Sequence, residues 1–179
     1  HMAALNATLT TAQTVGLTLN GITADNMAQR IGDTNFSDVQ WWAEWYTDTG
    51  ATASNATVTV TYNDGTTGTL APFAAGGTVR VGRMIPLNQL IPAAASGKYI
   101  RSIDSVQLSA STATAGNFGF TCTRPRLTMP LLLANKMEIF DWAQLGFPEI
   151  FNSSCLTIIE LCSTTSTGTV RGGGKIIHG

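Results

Sequence analysis

The clearest pattern along the chain is an alternation of apolar and polar residues, which is typical of a β-strand with one buried face. Over residues 57–62 the apolar side chains are Val58, Val60 and Tyr62, and threonines separate them. These three side chains are therefore predicted to face a core, with the threonines facing water. An Asn-Asp-Gly turn signal comes next, and the hydroxyl-rich segment 66–70 follows it. This order predicts a β-hairpin.

An aromatic segment, residues 39–47, alternates in the same way. One face of the predicted strand carries Val39, Trp41, Ala43 and Trp45. The other face carries Gln40, Trp42, Glu44 and Tyr46. Because three tryptophans lie within five residues, both faces of this strand need at least partial cover.

Further elements are predicted between turn signals. The additional strands are expected at 78–84, 100–110, 117–123, 155–162 and 175–178. Two of them, 100–110 and 117–123, are expected to direct apolar side chains to a common core, namely Val106, Leu108 and Ala110 with Phe118, Phe120 and Cys122. Short helices are predicted at 25–31 and 140–145, each followed by a glycine at the position that favours a left-handed cap.

This set of elements predicts an all-β protein. About eight short strands occur with almost no helix, and no strand–helix–strand repeat indicates a parallel sheet. The predicted fold is an antiparallel β-sandwich of jelly-roll type, with a barrel as the alternative.

Residues 1–37 alternate weakly and are interpreted as an N-terminal arm with a short helix, in which His1 and Met2 resemble the scar of a cleaved tag. Residues 38–179 are predicted to form the sandwich domain.

Composition narrows the choice of function. Charged residues make up 12% of the 179-residue chain, about half of the ~25% that is typical of a soluble domain, and the net charge is −1. No basic stripe is present to neutralise phosphates, so a nucleic-acid partner is not expected. No apolar run reaches the ~18–20 residues of a membrane helix, so a membrane partner is not expected either.

Because the chain contains 27 Thr and 11 Ser, its surface is predicted to be polar but nearly uncharged. Such a surface favours cover by other subunits.

The residues that usually perform catalysis are few. The two histidines, His1 and His178, lie at the chain ends. The three cysteines, Cys122, Cys155 and Cys162, match no zinc-site spacing and are expected to be buried free thiols. The sequence therefore predicts no catalytic residue, no metal site and no cofactor.

One acidic residue has aromatic neighbours. Glu44 shares a strand face with Trp42 and Tyr46, an arrangement found where proteins bind or hydrolyse sugars. The same aromatic side chains can equally cover a sheet or pack on a neighbouring subunit. This segment therefore leaves three functions open. The first is a protein that assembles with other subunits. The second is a carbohydrate-binding module or adhesin that uses Trp42 and Tyr46, and the third is a hydrolase that uses Glu44 or His178.

Arginines and aromatic residues supply the candidate contact surface. Arg side chains are enriched at interfaces because the planar guanidinium makes bidentate contacts. Two pairs of arginines stand out in a chain with so few charges, although ordinary solvated arginines at strand ends remain an alternative. The candidate interface residues are Trp41, Trp42, Trp45, Tyr46, Arg80, Arg83, Arg124 and Arg126.

Four segments carry a resemblance to a known class of protein. The segments are 38–50 (DVQWWAEWYTDTG), 56–64 (ATVTVTYND), 105–120 (SVQLSASTATAGNFGF) and 163–170 (STTSTGTV). In their residue pattern and their order along the chain, these segments resemble small virion structural proteins encoded among the head genes of tailed bacteriophages. The resemblance covers about residues 38–179.

The resemblance implies a non-enzymatic capsid-decorating (cement) protein or a related head or tail component. Such proteins often have β-sandwich folds and assemble as trimers on the shell. The expected partners are further copies of the chain and the major capsid protein. The expected location is the virion, after synthesis in the bacterial cytoplasm.

Overall fold

The computed structural model describes residues 5–19, 31–77, 81–114, 116–130, 136–141, 146, 150 and 154–160. These residues form nine β-strands. The strands are β1 (Leu5–Asn6), β2 (Gln13–Thr18), β3 (Gln40–Trp45), β4 (Asn55–Tyr62), β5 (Thr67–Thr69), β6 (Phe73–Ala74), β7 (Met84–Pro86), β8 (Ile100–Leu108) and β9 (Asn117–Thr123). The chain divides into two compact units, His1–Pro148 and Glu149–Gly179, and all nine strands belong to the first.

The strands pair in a nested, antiparallel order. β1 pairs with β9, β2 with β8, β3 with β7, and β4 with β5. The first sheet has the order β1-β9-β3-β7 and the second has the order β2-β8-β4-β5, with β6 also paired to β4. The chain thus resembles one long hairpin that is rolled into two sheets, which is the jelly-roll arrangement. The prediction of an all-β, antiparallel sandwich is confirmed.

The β4–β5 hairpin closes this roll at its tip. Across the turn, the Tyr62 amide donates to the Thr66 carbonyl at 2.8 Å, and Gly65 has a φ of +84° that suits glycine. The Asp64 carboxylate accepts the Thr66 amide at 3.0 Å and pairs with Lys98 at 2.8 Å. The Lys98 ammonium and the Thr66 hydroxyl, which donates to the same carboxylate at 2.6 Å, hold the pKa of Asp64 well below its ordinary value, and the Thr66 amide adds to this effect. The hairpin predicted from the alternation is therefore present.

The N-terminal segment is part of the sandwich. β1 and β2, which lie within the segment interpreted as an arm, supply one strand to each sheet. Leu5 and Val15 are buried in the core that the sheets enclose. The weak alternation of this segment has a physical cause, because Gly16 lies at a bulge with a φ of +61° and shifts the register against β8.

Two short 3₁₀ turns connect β7 to β8. They cover Leu87–Leu90 and Ala93–Ala95, and each directly follows a proline, whose fixed φ suits the start of a turn. Pro86 is also the last residue of β7, an edge strand of the first sheet, where a missing amide proton costs little. Several predicted elements lie outside the described residues. The predicted strand at 175–178 lies wholly outside them, as do residues 78–80 of the predicted strand 78–84. The predicted helices at 25–31 and 140–145 lie mostly outside them.

The C-terminal part differs from its prediction. The described residues 124–130, 136–141 and 154–160 contain no strand or helix, although a strand is expected over 155–162. A strand requires a neighbouring strand with which to pair, and alternation alone does not supply one.

The two described cysteines differ from each other in burial, because Cys155 is exposed while Cys122 is half-buried. Burial raises the pKa of Cys122 to about 12.

Asn88, in the first 3₁₀ turn, completes the hydrogen bonding at the start of β3. Its side-chain carbonyl accepts the Trp41 amide at 2.9 Å and the Gln40 side-chain amide at 3.0 Å, and its own amide donates to the Val39 carbonyl at 3.0 Å. The Asn88 side chain therefore makes the hydrogen bonds that a residue of a neighbouring strand would make.

Asn88→Ala is expected to lower the free energy of unfolding by about 1–3 kcal/mol, because it leaves part-buried backbone groups of β3 without partners. Denaturant titration followed by circular dichroism measures the change. Gln89→Ala, at the exposed neighbouring position, is the matched control and should change the free energy by less than about 0.5 kcal/mol. Equal stability of the two variants would contradict this role for Asn88.

Candidate functional site

The aromatic strand β3 directs its tryptophans to different faces. Trp41 and Trp45 lie in the core, and both are essentially fully buried. Trp45 stacks on Phe118 and meets Phe73 edge to face. The surface of the folded chain therefore does not include Trp41 or Trp45. Of the aromatic residues in the predicted interface, Trp42 and Tyr46 are the two on the outer face.

Trp42 lies on the outer face of the first sheet but is only 7% exposed. Its indole nitrogen donates to the Thr123 hydroxyl at 2.8 Å. In register, Thr121 of β9 and Pro86 of β7 flank it. A sugar stacks on an open aromatic face, and so little of the Trp42 ring is accessible that it does not form such a platform in this structure.

Glu44 and Tyr46 share this outer face near Thr121. The Thr121 hydroxyl donates to a Glu44 carboxylate oxygen at 3.1 Å. Burial raises the pKa of Tyr46 above its ordinary value, and the negative charge of Glu44 adds to the increase. Tyr46 therefore keeps its phenolic proton at neutral pH. His178, the other residue of the hydrolase hypothesis, lies outside the described residues.

The structure describes three of the four predicted arginines. Arg83 is exposed next to one end of β3, where its carbonyl accepts the Trp45 amide at 3.1 Å. Arg124 directly follows β9 at the other end of β3 and pairs with Asp38 at 3.4 Å. Arg126 is half-buried, and Arg80 lies outside the described residues. Arg83 and Arg124 therefore lie at opposite ends of β3.

Exposed apolar side chains are concentrated after residue 128. Of the seven large hydrophobic side chains that are exposed in the described part of the chain, five lie in this region: Met129, Met137, Ile139, Leu156 and Ile158. Met137 is 78% exposed and Ile158 is 84% exposed. We call these five residues the apolar C-terminal set. No site predicted from the sequence contains any of the five, although their apolar character is visible in the sequence.

The second sheet presents an ordered outer face of hydroxyl groups. The register aligns Thr67, Thr61, Ser102 and Thr18 in one row that crosses β5, β4, β8 and β2. It aligns Thr69, Thr59, Ser105 and Thr14 in a second row. We call these eight residues the hydroxyl face; Ser102 is buried, and the other seven are exposed or half-buried. The sequence predicted outward threonines on β4 but not their alignment over four strands.

Two bulges in β8 shape the hydroxyl face. The pairing with β4 skips one residue between Ile100 and Ser102 and another between Ile103 and Ser105. The second extra residue, Asp104, accepts hydrogen bonds from Thr61 and Ser102, each at 2.8 Å. Each carboxylate oxygen of Asp104 therefore has a hydroxyl partner on this face.

A depression lies where the rows approach the β1–β2 connection. Its volume is about 440 Å³, and its lining residues are Thr10, Thr57, Gln107, Leu108 and Ser109. Thr57 and Gln107 are partners in register, directly beyond the second hydroxyl row. The Gln107 side-chain amide donates to the Thr10 carbonyl at 3.2 Å, which joins the connection to the sheet.

Two other features are absent from the part of the chain that the structure describes. The described residues contain no group of three or more His, Cys, Asp or Glu side chains that could hold a metal ion. They also contain no helix with the length and apolar character needed to cross a membrane. Comparisons of the chain with protein-family models, with curated proteins and with solved structures gave no match.

Proposed function

We propose that this chain is a non-enzymatic virion structural protein of a tailed bacteriophage that self-associates and decorates the capsid. The observation that carries the proposal is the apolar C-terminal set, five large hydrophobic side chains that the single chain leaves in water. Met129, Met137 and Ile139 lie in the first unit and Leu156 and Ile158 in the second, and in each unit these side chains offer apolar surface for contact with another macromolecule.

Burial of the apolar C-terminal set supplies part of the free energy of assembly. Complete burial of a large apolar side chain contributes about 1.5–3 kcal/mol, and because the five side chains are 45–84% exposed, covering all of them contributes on the order of 5–10 kcal/mol per chain. This is comparable with the ~4–15 kcal/mol that association costs in lost freedom. Further contacts are therefore needed, and the proposed partners, other copies in a trimer and the major capsid protein, would provide them.

Two further features support an assembly role. The jelly roll is a recurrent architecture of viral shell proteins, which supports the proposal by analogy of fold. The low charge of the chain, 12% of residues, reduces the electrostatic repulsion between copies that approach each other. Bound across capsid subunits, the protein would stabilise the shell by mass action, because a ligand of the assembled state favours that state.

Self-association is tested by light scattering coupled to size-exclusion chromatography. The wild-type chain at tens of micromolar is expected to elute as a trimer. Met137→Ser combined with Ile139→Ser, and separately Leu156→Ser combined with Ile158→Ser, should shift it towards monomer. Val81→Ser removes an exposed apolar side chain from the sandwich itself and is the matched control, for which the trimer should persist. A monomeric wild type would overturn self-association.

Capsid decoration is tested by co-sedimentation with empty shells of the phage that encodes the chain. Binding at a fixed number of copies per shell is expected, together with greater resistance of the decorated shells to heat. A chain that forms trimers but stays in the supernatant would refute decoration while leaving self-association intact.

A further inference from the structure

We propose that the second sheet carries a binding site for a neutral oligosaccharide, located in the depression beside Thr57 and Gln107. The site is distinct from the aromatic strand of the first sheet, where Trp42 is covered. It is also independent of the apolar C-terminal set on which the proposed function depends.

The lining side chains are uncharged and include both hydrogen-bond donors and hydrogen-bond acceptors. The Ser109 hydroxyl accepts the Asn55 amide at 2.9 Å, so its proton remains available to donate. The Gln107 amide uses one proton on the Thr10 carbonyl, which leaves its oxygen as an acceptor and its second proton as a donor. The Thr57 and Thr10 hydroxyls can each donate and accept. A sugar hydroxyl also donates and accepts, so the two sets are complementary.

The charges near the depression favour a neutral ligand. None of the lining residues, Thr10, Thr57, Gln107, Leu108 and Ser109, has an ionisable side chain. The carboxylate of Asp104, on the adjacent face, already accepts two hydroxyl protons. A phosphate, sulfate or carboxylate ligand would therefore find no counter-charge among these residues, and an anionic sugar would be repelled by Asp104.

The shape of the surface suits an extended chain rather than a single small molecule. The depression is shallow, with a volume of about 440 Å³, and is closer to a flat surface than to an enclosed cavity. The hydroxyl face begins directly beside it, at Thr59 and Ser105, and continues across the sheet. Sugar units beyond the one seated in the depression would therefore meet further hydroxyl groups.

The expected affinity is modest. The lining contains no aromatic ring on which a sugar could stack, and hydroxyl contacts exchange for contacts with water at little net gain. A Kd on the order of 1 mM is the result that this chemistry predicts.

Saturation-transfer NMR of the full chain tests the site, with neutral gluco-, manno- and galacto-oligosaccharides as one panel and oligogalacturonates as the anionic panel. Saturation transfer to at least one neutral series and none to the anionic series is expected. Thr57→Val, which keeps the shape but removes the hydroxyl, and Gln107→Ala should each weaken binding at least fivefold. Thr34→Val, at an exposed position outside both sheets, is the matched control and should bind as wild type does.

Several outcomes would overturn the proposal. These are the absence of transfer to every neutral oligosaccharide, a preference for the anionic panel, and equal binding by wild type and both depression variants. Thermal melts that coincide with the wild type would show that a loss of binding does not reflect unfolding. Because these measurements do not involve the oligomer or the capsid, failure here leaves the proposed function untouched, and failure of the oligomer test leaves this site untouched.

Discussion

Trp41→Ala is expected to lower the free energy of unfolding by about 3–5 kcal/mol, the usual range for truncation of a large buried aromatic ring. Trp41 is fully buried in β3 of the first sheet, and its indole nitrogen donates to the Ile100 carbonyl of β8 at 2.9 Å. This hydrogen bond joins the two sheets. The substitution therefore opens a cavity between the sheets and also removes a link across them.

Trp41→Phe separates these two effects. It keeps most of the ring volume but removes the N–H donor, so a smaller loss of about 1–3 kcal/mol is expected. Denaturant titration of both variants by circular dichroism measures the difference. Because domains of this size have a total stability of about 5–15 kcal/mol, the alanine variant should still be measurable near its temperature of maximum stability. A loss below about 1 kcal/mol for Trp41→Ala would contradict its place in the core.

Gly50→Ala is also expected to destabilise the chain strongly. A Cβ atom added at Gly50 would lie 1.7 Å from the Thr112 carbonyl oxygen and 2.7 Å from the Thr114 amide nitrogen. Both are backbone atoms, so no side-chain rotation relieves the clash. The segment around Thr112 is itself held in place, because Thr112 is fully buried and its hydroxyl donates to the Ala7 carbonyl at 3.0 Å. We expect a loss above the ~1–3 kcal/mol of ordinary overpacking.

Gly82→Ala is the control for this prediction. A Cβ atom at Gly82 has no atom within 4 Å, but its φ is +80°, so the substitution introduces backbone strain without a clash. The expected loss is about 1–2 kcal/mol. Thermal melts and the soluble yield of both variants measure the contrast. If Gly50→Ala melted as high as Gly82→Ala, the close approach of the two loops would be refuted.

The faces of the individual strands could be predicted from the sequence because alternation is a local property. In β4, Val58, Val60 and Tyr62 are buried as predicted. In β3, Trp41 and Trp45 share the core face that the period of two assigns to them. In β8, Val106 and Leu108 are also buried as predicted, but strict alternation continued back from Val106 would direct Asp104 to the core and Ile103 to solvent. The bulge at Asp104 reverses both, and Ile103 is fully buried.

The candidate sites depended much more on tertiary structure. Of the aromatic interface residues, Trp42 lies on the predicted outer face yet is covered, which alternation within one strand cannot indicate. The depression combines residues from the β1–β2 connection, β4 and β8. The sequence separation of Thr10 and Gln107 hides their proximity, because no local pattern encodes a contact between distant segments.

The sequence by itself determined that this protein is built from short antiparallel strands with hydroxyl groups on their outward sides, since side-chain periodicity and turn chemistry act over a few residues. Tertiary structure alone decided the rest. Nested pairing incorporated residues 5–18 into the two sheets and aligned the hydroxyl groups in rows. It also left residues 154–160 without a strand and with Leu156 and Ile158 exposed. The physical reason is that pairing and register depend on which distant strands meet, and a segment's own sequence does not contain that information.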